Sequence, residues 1–313
     1  MSYIFGPVRS RRLGLSLGVD VVPAKTCNYD CLYCECGRTQ TRINQMPECP
    51  DAVPIKAALN DFLAEYHDEK IDYITITGSG EPTINENLAD IIKAMRHITT
   101  IPIAVLTNGS FLNKHSVQEA VGLADLVIPS LDAVDESIFQ KINRPCPGLH
   151  CIDMINGIVQ YRRRFPNQKM CLEILLVEGV NDGDSHLRQF VPIVEQIKPD
   201  RIDICTVIRP PAYQGIQSTS WGKMEYLKEL LGEQAHIMVS KQEPCLHRGI
   251  ITKERLVAIL RRRPSRLDDL IAEVEEDAIE IERVLTSLIE EKILTKRIYN
   301  DLEYYCLDNT QVI

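Results

Sequence analysis

Residues 71–83 read Ile-Asp-Tyr-Ile-Thr-Ile-Thr-Gly-Ser-Gly-Glu-Pro-Thr. A run rich in β-branched side chains passes straight into glycines. That is the pattern of a buried strand whose C-terminal end opens into a polar turn. Helical apolar spacing follows over residues 88–97, and the unit then repeats. Residues 101–106 form a strand pattern ending in Thr107-Asn108-Gly109, and residues 124–130 form another, followed by Leu131-Asp132. A helix within 146–165, a strand at 169–177, a helix at 184–197 and a strand at 201–207 continue the alternation. Continuous apolar strands separated by helices imply βαβ units on a parallel sheet, and about six fit between Gly18 and Pro211. The expected fold class is α/β, built on a parallel sheet. Its polar, glycine-bearing segments lie at strand C-termini, where such folds build their sites.

Pro210-Pro211 closes this region, and the pattern then changes. A helix is expected over 220–231 and a short strand near 236–240. Thr252 can cap a helix running to Leu260, two more helices fit 266–274 and 278–290, and 293–298 with 303–307 alternate like a hairpin turning at Asn300-Asp301. Three helices and a hairpin suggest a C-terminal winged-helix-like domain. The expected division is 1–215 for the parallel-sheet domain, 216–250 for a connecting extension and 251–313 for the appended domain.

The chain has 313 residues, 44% hydrophobic and 25% charged, a globular composition that excludes disorder and coiled coil as the main architecture. No apolar run approaches the ~20 residues of a membrane helix. Residues 1–12 lack a signal-peptide pattern, so a cytoplasmic protein with no membrane partner is expected. A net charge of −9 argues against bulk electrostatic capture of nucleic acid.

Eleven cysteines are many for a reducing compartment, where disulfides are rare, so some should bind metal. Cys27, Cys31 and Cys34 are spaced CxxxCxxC within Thr26-Cys27-Asn28-Tyr29-Asp30-Cys31-Leu32-Tyr33-Cys34. Three readings stand at this point. The cysteines could share one helix face, which the interleaved Asn28 and Asp30 and the upstream Pro23 oppose. They could hold zinc with Cys36 or Cys49 as a fourth ligand. Or they could hold three irons of a [4Fe–4S] cluster whose fourth iron stays open to a small molecule.

CxxxCxxC with Tyr33 before its third cysteine resembles the radical S-adenosylmethionine (SAM) superfamily. Gly78-Ser79-Gly80-Glu81-Pro82-Thr83 resembles that family's Gly-Gly-Glu motif, with Ser79 inserted. Thr107-Asn108-Gly109 and Ser130-Leu131-Asp132 fall at the next strand ends, where the family places further SAM contacts. The resemblance covers roughly residues 16–211 and implies a partial (β/α)6 TIM-like barrel there. Phe5-Gly6-Pro7-Val8-Arg9-Ser10-Arg11-Arg12-Leu13-Gly14, Ser16-Leu17-Gly18-Val19-Asp20 and Ile208-Arg209-Pro210-Pro211 narrow it. They resemble a branch loosely termed Fe–S oxidoreductases, distantly similar to tRNA-modifying members.

The resemblance implies that Cys27, Cys31 and Cys34 ligate a [4Fe–4S] cluster and that SAM chelates its open iron. Tyr33 would lie near the adenine. Gly78 and Gly80 would let the chain approach the methionyl part, with Pro82 in the same motif. Glu81, or carbonyls beside it, would accept from the ammonium, and Asn108, Ser130 and Asp132 would contact ribose or methionyl groups. The reaction implied is reductive cleavage of SAM followed by hydrogen abstraction from an RNA, peptide, protein or metabolite, with flavodoxin or ferredoxin as electron donor.

Other residues are candidates on weaker grounds. Cys245, in a Pro-Cys loop, and Arg209 could face the site as catalytic or substrate-binding groups, against the plainer readings of a loop thiol and a structural ion pair. Arg9, Arg11 and Arg12, and Arg144 in Asn143-Arg144-Pro145, could take an anionic group. Cys171, Cys205 and Cys306 fit a core role. The acidic residues Glu273, Glu275, Glu276, Asp277, Glu280 and Glu282 argue against DNA binding by the appended domain and favour a protein partner. The rival function is a non-catalytic Fe–S or zinc-binding regulator with a winged-helix output domain.

Overall fold

The computed structural model describes residues 3–10, 12–42, 48–66, 70–238, 252–274 and 278–308. β1 (Ile4–Ser10) and β2 (Gly14–Val19) form an antiparallel pair. β3 (Thr26–Cys27) and β4 (Thr41–Arg42) make a short parallel ribbon that brackets the cysteine segment. The apolar runs form β5 (Tyr73–Ile76), β6 (Ile103–Thr107), β7 (Leu126–Pro129), β8 (Lys169–Leu176), β9 (Arg201–Thr206) and β10 (Ala235–Ile237).

The eight-stranded sheet is ordered β1-β2-β5-β6-β7-β8-β9-β10, and from β2 onward every pair is parallel. Strand order follows chain order without reversal, as in a barrel and unlike a doubly wound sheet. The end strands β1 and β10 are not neighbours, so the sheet stays open. Six parallel strands fall in the expected stretch, and β10 adds a seventh beyond it.

Helices α1 (Ala52–Glu65), α2 (Leu88–Arg96), α3 (His115–Val121), α4 (Glu136–Ile142), α5 (Cys151–Arg164), α6 (Asp184–Ile197) and α7 (Trp221–Leu231) connect the strands. Strand alternation divides the interior. Ile74, Ile103, Val105, Val127, Leu172 and Ile202 join the main helix-backed core. The alternate residues Ala104, Leu126, Ile128 and Cys171 form a separate small cluster. That second face also carries polar groups, including Ser16 bonded to Thr75 at 2.6 Å and Glu173 paired with Arg12.

α8 (Lys253–Leu260), α9 (Leu267–Val274) and α10 (Ala278–Glu290) precede a hairpin of β11 (Leu294–Tyr299) and β12 (Leu302–Leu307). Asn300 and Asp301 both have left-handed φ, 49° and 60°, as a two-residue hairpin turn requires. Leu256, Leu260, Leu270, Ile281, Leu285, Leu288, Leu294 and Tyr305 make a core of their own. Tyr299, Tyr304 and Cys306 instead join the barrel's core, and Tyr304 Oη donates to the Ile208 carbonyl at 3.1 Å. Among the described residues, no helix is long and apolar enough to cross a membrane.

One side-chain tie fixes the strand ends near the site. Asn181 Nδ2 donates to the carbonyls of Asp132 (2.8 Å) and Leu175 (2.7 Å). His186 Nδ1 lies 2.7 Å from the Asn181 carbonyl, and its Nε2 accepts from Val134 N at 3.2 Å. An Nε2 that accepts must be unprotonated, so the ring is neutral. Burial lowers its pKa below the ordinary value of 6.5. Acid therefore favours the unfolded state, which binds the proton first. Stability should fall as pH drops from 7 through about 6.5 and below. Denaturant midpoints measured across this range should show that loss, and a His186→Gln variant should show a flatter profile.

Candidate functional site

The turn after β5 is shaped by contact with the cysteine segment. Gly80 lies so close that an added Cβ would stand 2.0 Å from the Thr26 carbonyl oxygen. Lys25 N donates to the Ser79 carbonyl (2.8 Å) and Glu81 N to that of Thr26 (3.2 Å), zipping the two segments together. Gly78 has φ +148°, and its Cβ would meet the Asp20 carboxyl at 2.3 Å. Ser79 is anchored by the same carboxylate, with Oγ to Oδ2 at 2.8 Å. Both glycines thus serve close approach within the chain itself.

Glu81 caps the 3-10 turn Pro82–Ile84 and is buried. Its Oε1 accepts from Thr83 N (3.0 Å), Thr83 Oγ1 (2.5 Å) and Thr107 Oγ1 (2.6 Å), and its Oε2 from Asn108 N (2.7 Å). Burial raises its pKa and the four donors oppose that rise. The carboxylate so joins the ends of β5 and β6. Asn108 Nδ2 reaches Asn28 Oδ1 (2.8 Å) and approaches Cys27 Sγ (3.7 Å), while Asn28 Nδ2 donates to Ser110 Oγ (2.7 Å).

Asp132, after β7, plays a matching part. Its Oδ2 accepts from Tyr33 Oη and from Asn143 Nδ2 (2.9 Å), and its Oδ1 from Leu175 N (3.0 Å). Burial raises the pKa of both Asp132 and Tyr33. Ser130 bridges to Glu173 and donates N–H to the Thr107 carbonyl at 2.9 Å. The residues from 27 to 34, 78 to 82, 108 and 130 to 132 therefore meet at one end of the sheet, the C-terminal end of its parallel strands.

The three motif cysteines are partly buried. Cys27 Sγ accepts from Tyr29 N (3.4 Å), and Cys31 Sγ from Asn143 Nδ2 (3.5 Å). Burial pushes the Cys27 and Cys31 thiols well up, each further raised by another motif cysteine nearby. Cys34 is pulled down, chiefly by a hydrogen bond from Cys36. N–H donors aimed at sulfur suit thiolates held by a metal, which deprotonates a coordinating thiol outright. Among the described residues, no three Cys, His, Asp or Glu side chains are grouped to hold one metal ion. A [4Fe–4S] cluster asks for less crowding, since each cysteine takes its own iron. The donor set fits that group.

Other sequence candidates fall elsewhere. Arg209 is ion-paired with Glu35 at 3.3 Å, beside the cysteine segment. Cys36 Sγ also lies near the carbonyls of Arg262 (3.2 Å) and Gly78 (3.7 Å), which compete with Cys34 for its single S–H proton. Cys171, Cys205 and Cys306 are core residues, and Cys146 and Cys151 are buried too. Cys245, Arg11, Glu275, Glu276 and Asp277 lie outside the described residues. Arg262, at the end of α8, reaches Asp20 (Nε to Oδ2, 3.7 Å) and stacks on Phe5 at 4.0 Å. An open cleft of about 590 Å3 runs between β1 and α8, lined by Phe5, Arg12, Thr77, Ile259 and Arg262.

Several positioning residues escaped the sequence reading as partners: Asp20, Asn28, Asp30, Thr107 and Arg262. Asn28 and Asp30 carried a signal, being polar residues set between metal-type cysteines, but their partners Ser110 and Arg144 are far away in sequence. A Gly80→Ala variant should lose about 2–3 kcal/mol of stability, since backbone cannot yield as a side chain does. Equilibrium denaturation checks this, and a Ser79→Ala variant should lose less.

Known proteins resemble this chain in sequence and in fold. The sequence model of the radical SAM superfamily matches residues 21–191. A protein called GTPase Obg in Brachyspira hyodysenteriae is 32% identical over 311 residues, covering 97% of this chain and 45% of that protein. This chain thus spans less than half the length of that relative. A UPF0026 protein of Helicobacter pylori (strain ATCC 700392 / 26695) is 30% identical over 308 residues, 97% of each. Among solved structures, Streptococcus suis SuiB bound to precursor peptide SuiA has a TM-score of 0.54 at 14% identity, covering 70% of this chain and 48% of that one. That likeness is one of fold. The superfamily uses a [4Fe–4S] cluster and SAM. The match over residues 21–191, together with the motif-bearing strand ends, makes this chain a member of the radical SAM superfamily.

Proposed function

We propose that this chain is an enzyme that cleaves SAM reductively and abstracts hydrogen from a substrate bound at the mouth of the sheet. The observation that carries the reading is the meeting of Cys27, Cys31 and Cys34 with the Gly78–Pro82 turn at strand C-termini, with N–H donors directed at two of the sulfurs. Each motif cysteine would take one iron. When bound and reduced, the cluster supplies the electron that splits SAM into methionine and a 5′-deoxyadenosyl radical able to take a hydrogen atom from an unactivated C–H.

The chain's own residues orient the parts. Glu81 has four donors from the protein, so its part is to hold the turn, leaving the carbonyls beside it to receive the SAM ammonium. Gly78, Gly80 and Pro82 keep that turn against the cysteine segment. Asn108, Ser130 and Asp132 line the neighbouring strand ends, where amide, hydroxyl and carboxylate groups suit ribose and methionyl recognition. Tyr33, held through its hydroxyl by Asp132, offers backbone and ring to the adenine. Arg209 would act through Glu35 on the cysteine segment.

We read residues 1–215 as the body of the catalytic domain, 216–250 as a connecting extension whose α7 and β10 continue its sheet, and 251–313 as a winged-helix-like domain that docks a protein. Acidic residues such as Glu280 and Glu282 on α10 disfavour a DNA groove. An external flavodoxin or ferredoxin in the cytoplasm would supply the electron.

The test is anaerobic reconstitution, reduction with dithionite and addition of SAM, with 5′-deoxyadenosine measured by mass spectrometry. The wild type should bind about four irons per chain and release 5′-deoxyadenosine. Cys34→Ala should lose the intact cluster and all release. A reduced, intact wild-type cluster that gives no 5′-deoxyadenosine and no SAM-dependent change in its EPR signal would overturn the reading.

A further inference from the structure

Beside the cysteine segment, two arginines lie on one tyrosine. The Arg38 guanidinium is 4.3 Å from the centre of the Tyr213 ring, and that of Arg144 is 4.7 Å away. A single buried carboxylate holds the tyrosine and one of the arginines. Asp30 Oδ2 accepts from Tyr213 Oη (2.5 Å) and Arg144 Nε (3.3 Å), and its Oδ1 from Thr39 N (2.9 Å). The backbone binds the same three segments, with Asp30 N donating to the Asn143 carbonyl (3.0 Å) and Tyr213 N to that of Leu32 (3.3 Å). Arg144 holds this position with a left-handed φ of 48°. For a side-chain-bearing residue that conformation is strained, and such strain persists where the surrounding structure fixes it. Its neighbour Asn143 faces Cys31 and Asp132.

The cluster has two cations and one anion. Arg38 is exposed, and among the described residues no carboxylate pairs with it; Arg144 uses only Nε in hydrogen bonding. Each guanidinium offers a fork of N–H groups, and a phosphate presents three or more acceptor oxygens to two such forks where a carboxylate presents two. Two forks on one aromatic platform suit a group richer in acceptor oxygens. We propose that Arg38, Arg144 and Tyr213 form a subsite for a phosphate group carried by the substrate. The subsite deepens the proposed function and rests on it in calling the bound molecule a substrate.

The experiment is calorimetric titration of the reconstituted full chain with inorganic pyrophosphate at low salt. Wild type should bind it, and Arg38→Gln and Arg144→Gln should each weaken binding about tenfold or more, the scale of a lost charge-assisted hydrogen bond. Arg38 makes only the stacking contact, so its variant keeps the fold even if Arg144→Gln does not. Arg188→Gln, which removes an arginine stacked on Tyr226 away from this cluster, should change nothing. Competition by a nucleoside monophosphate and by a short single-stranded RNA separates a metabolite source from a polymer, which would show the steeper salt dependence. Absence of binding, equal binding by the Arg38→Gln variant, or displacement of pyrophosphate by SAM would overturn the proposal. The same preparations are assayed for 5′-deoxyadenosine. Release without pyrophosphate binding removes the subsite alone. Arginine-dependent binding without release or a SAM-induced EPR change removes the catalytic reading and leaves a phosphate site.

Discussion

The buried carboxylate of Glu81 is the interaction on which the mouth of the sheet depends. A lone carboxylate in such surroundings would be costly, and four donors from Thr83, Thr107 and Asn108 offset that cost. The effect is geometric as much as energetic. The end of β5, the end of β6 and, through Asn108 and Asn28, the cysteine segment hold one relative position. Loops at strand ends are usually the most mobile parts of an α/β fold. Here they are tied by four hydrogen bonds to one buried carboxylate.

Asp132 repeats the device one strand further on. It collects a phenol, an amide and a backbone N–H, and Asn143 carries the link to Cys31. The two acids that resemble ligand contacts in the sequence thus have much of their bonding capacity taken by the scaffold. Second-layer groups of this kind orient the groups that touch a cofactor. The cysteine sulfurs receive hydrogen bonds from both networks, and such bonds are one way a protein sets a cluster's potential.

The parallel strands were legible because strands buried on both faces must be continuously apolar. The helix expected at 184–197 has those bounds in α6. β1 was not legible as a strand, since Gly6-Pro7 interrupts its apolar alternation. α3 and α4 are seven residues each, too short for a clear helical period. In the site, residue types announced the cysteine loop, the glycine turn and the polar strand ends. Their partners could not be read. Gly80 is a glycine because of Thr26, and Gly78 because of Asp20, contacts made only after the sheet brings distant segments together. The hairpin's contribution to the barrel core was hidden for the same reason: Tyr299, Tyr304 and Cys306 alternate like any half-buried strand.

The Gly78-Ser79-Gly80 turn places three neighbouring residues under unlike evolutionary constraint. At position 80 even a methyl group collides with backbone, and at 78 any side chain meets both an unfavourable φ and a carboxyl. At 79 the side chain is an asset, because its hydroxyl secures the turn to Asp20. A lineage can drift at 79, trading that bond for a different anchor, while 78 and 80 stay fixed. Divergence of the motif should accordingly concentrate on its middle residue and be accompanied by change at position 20.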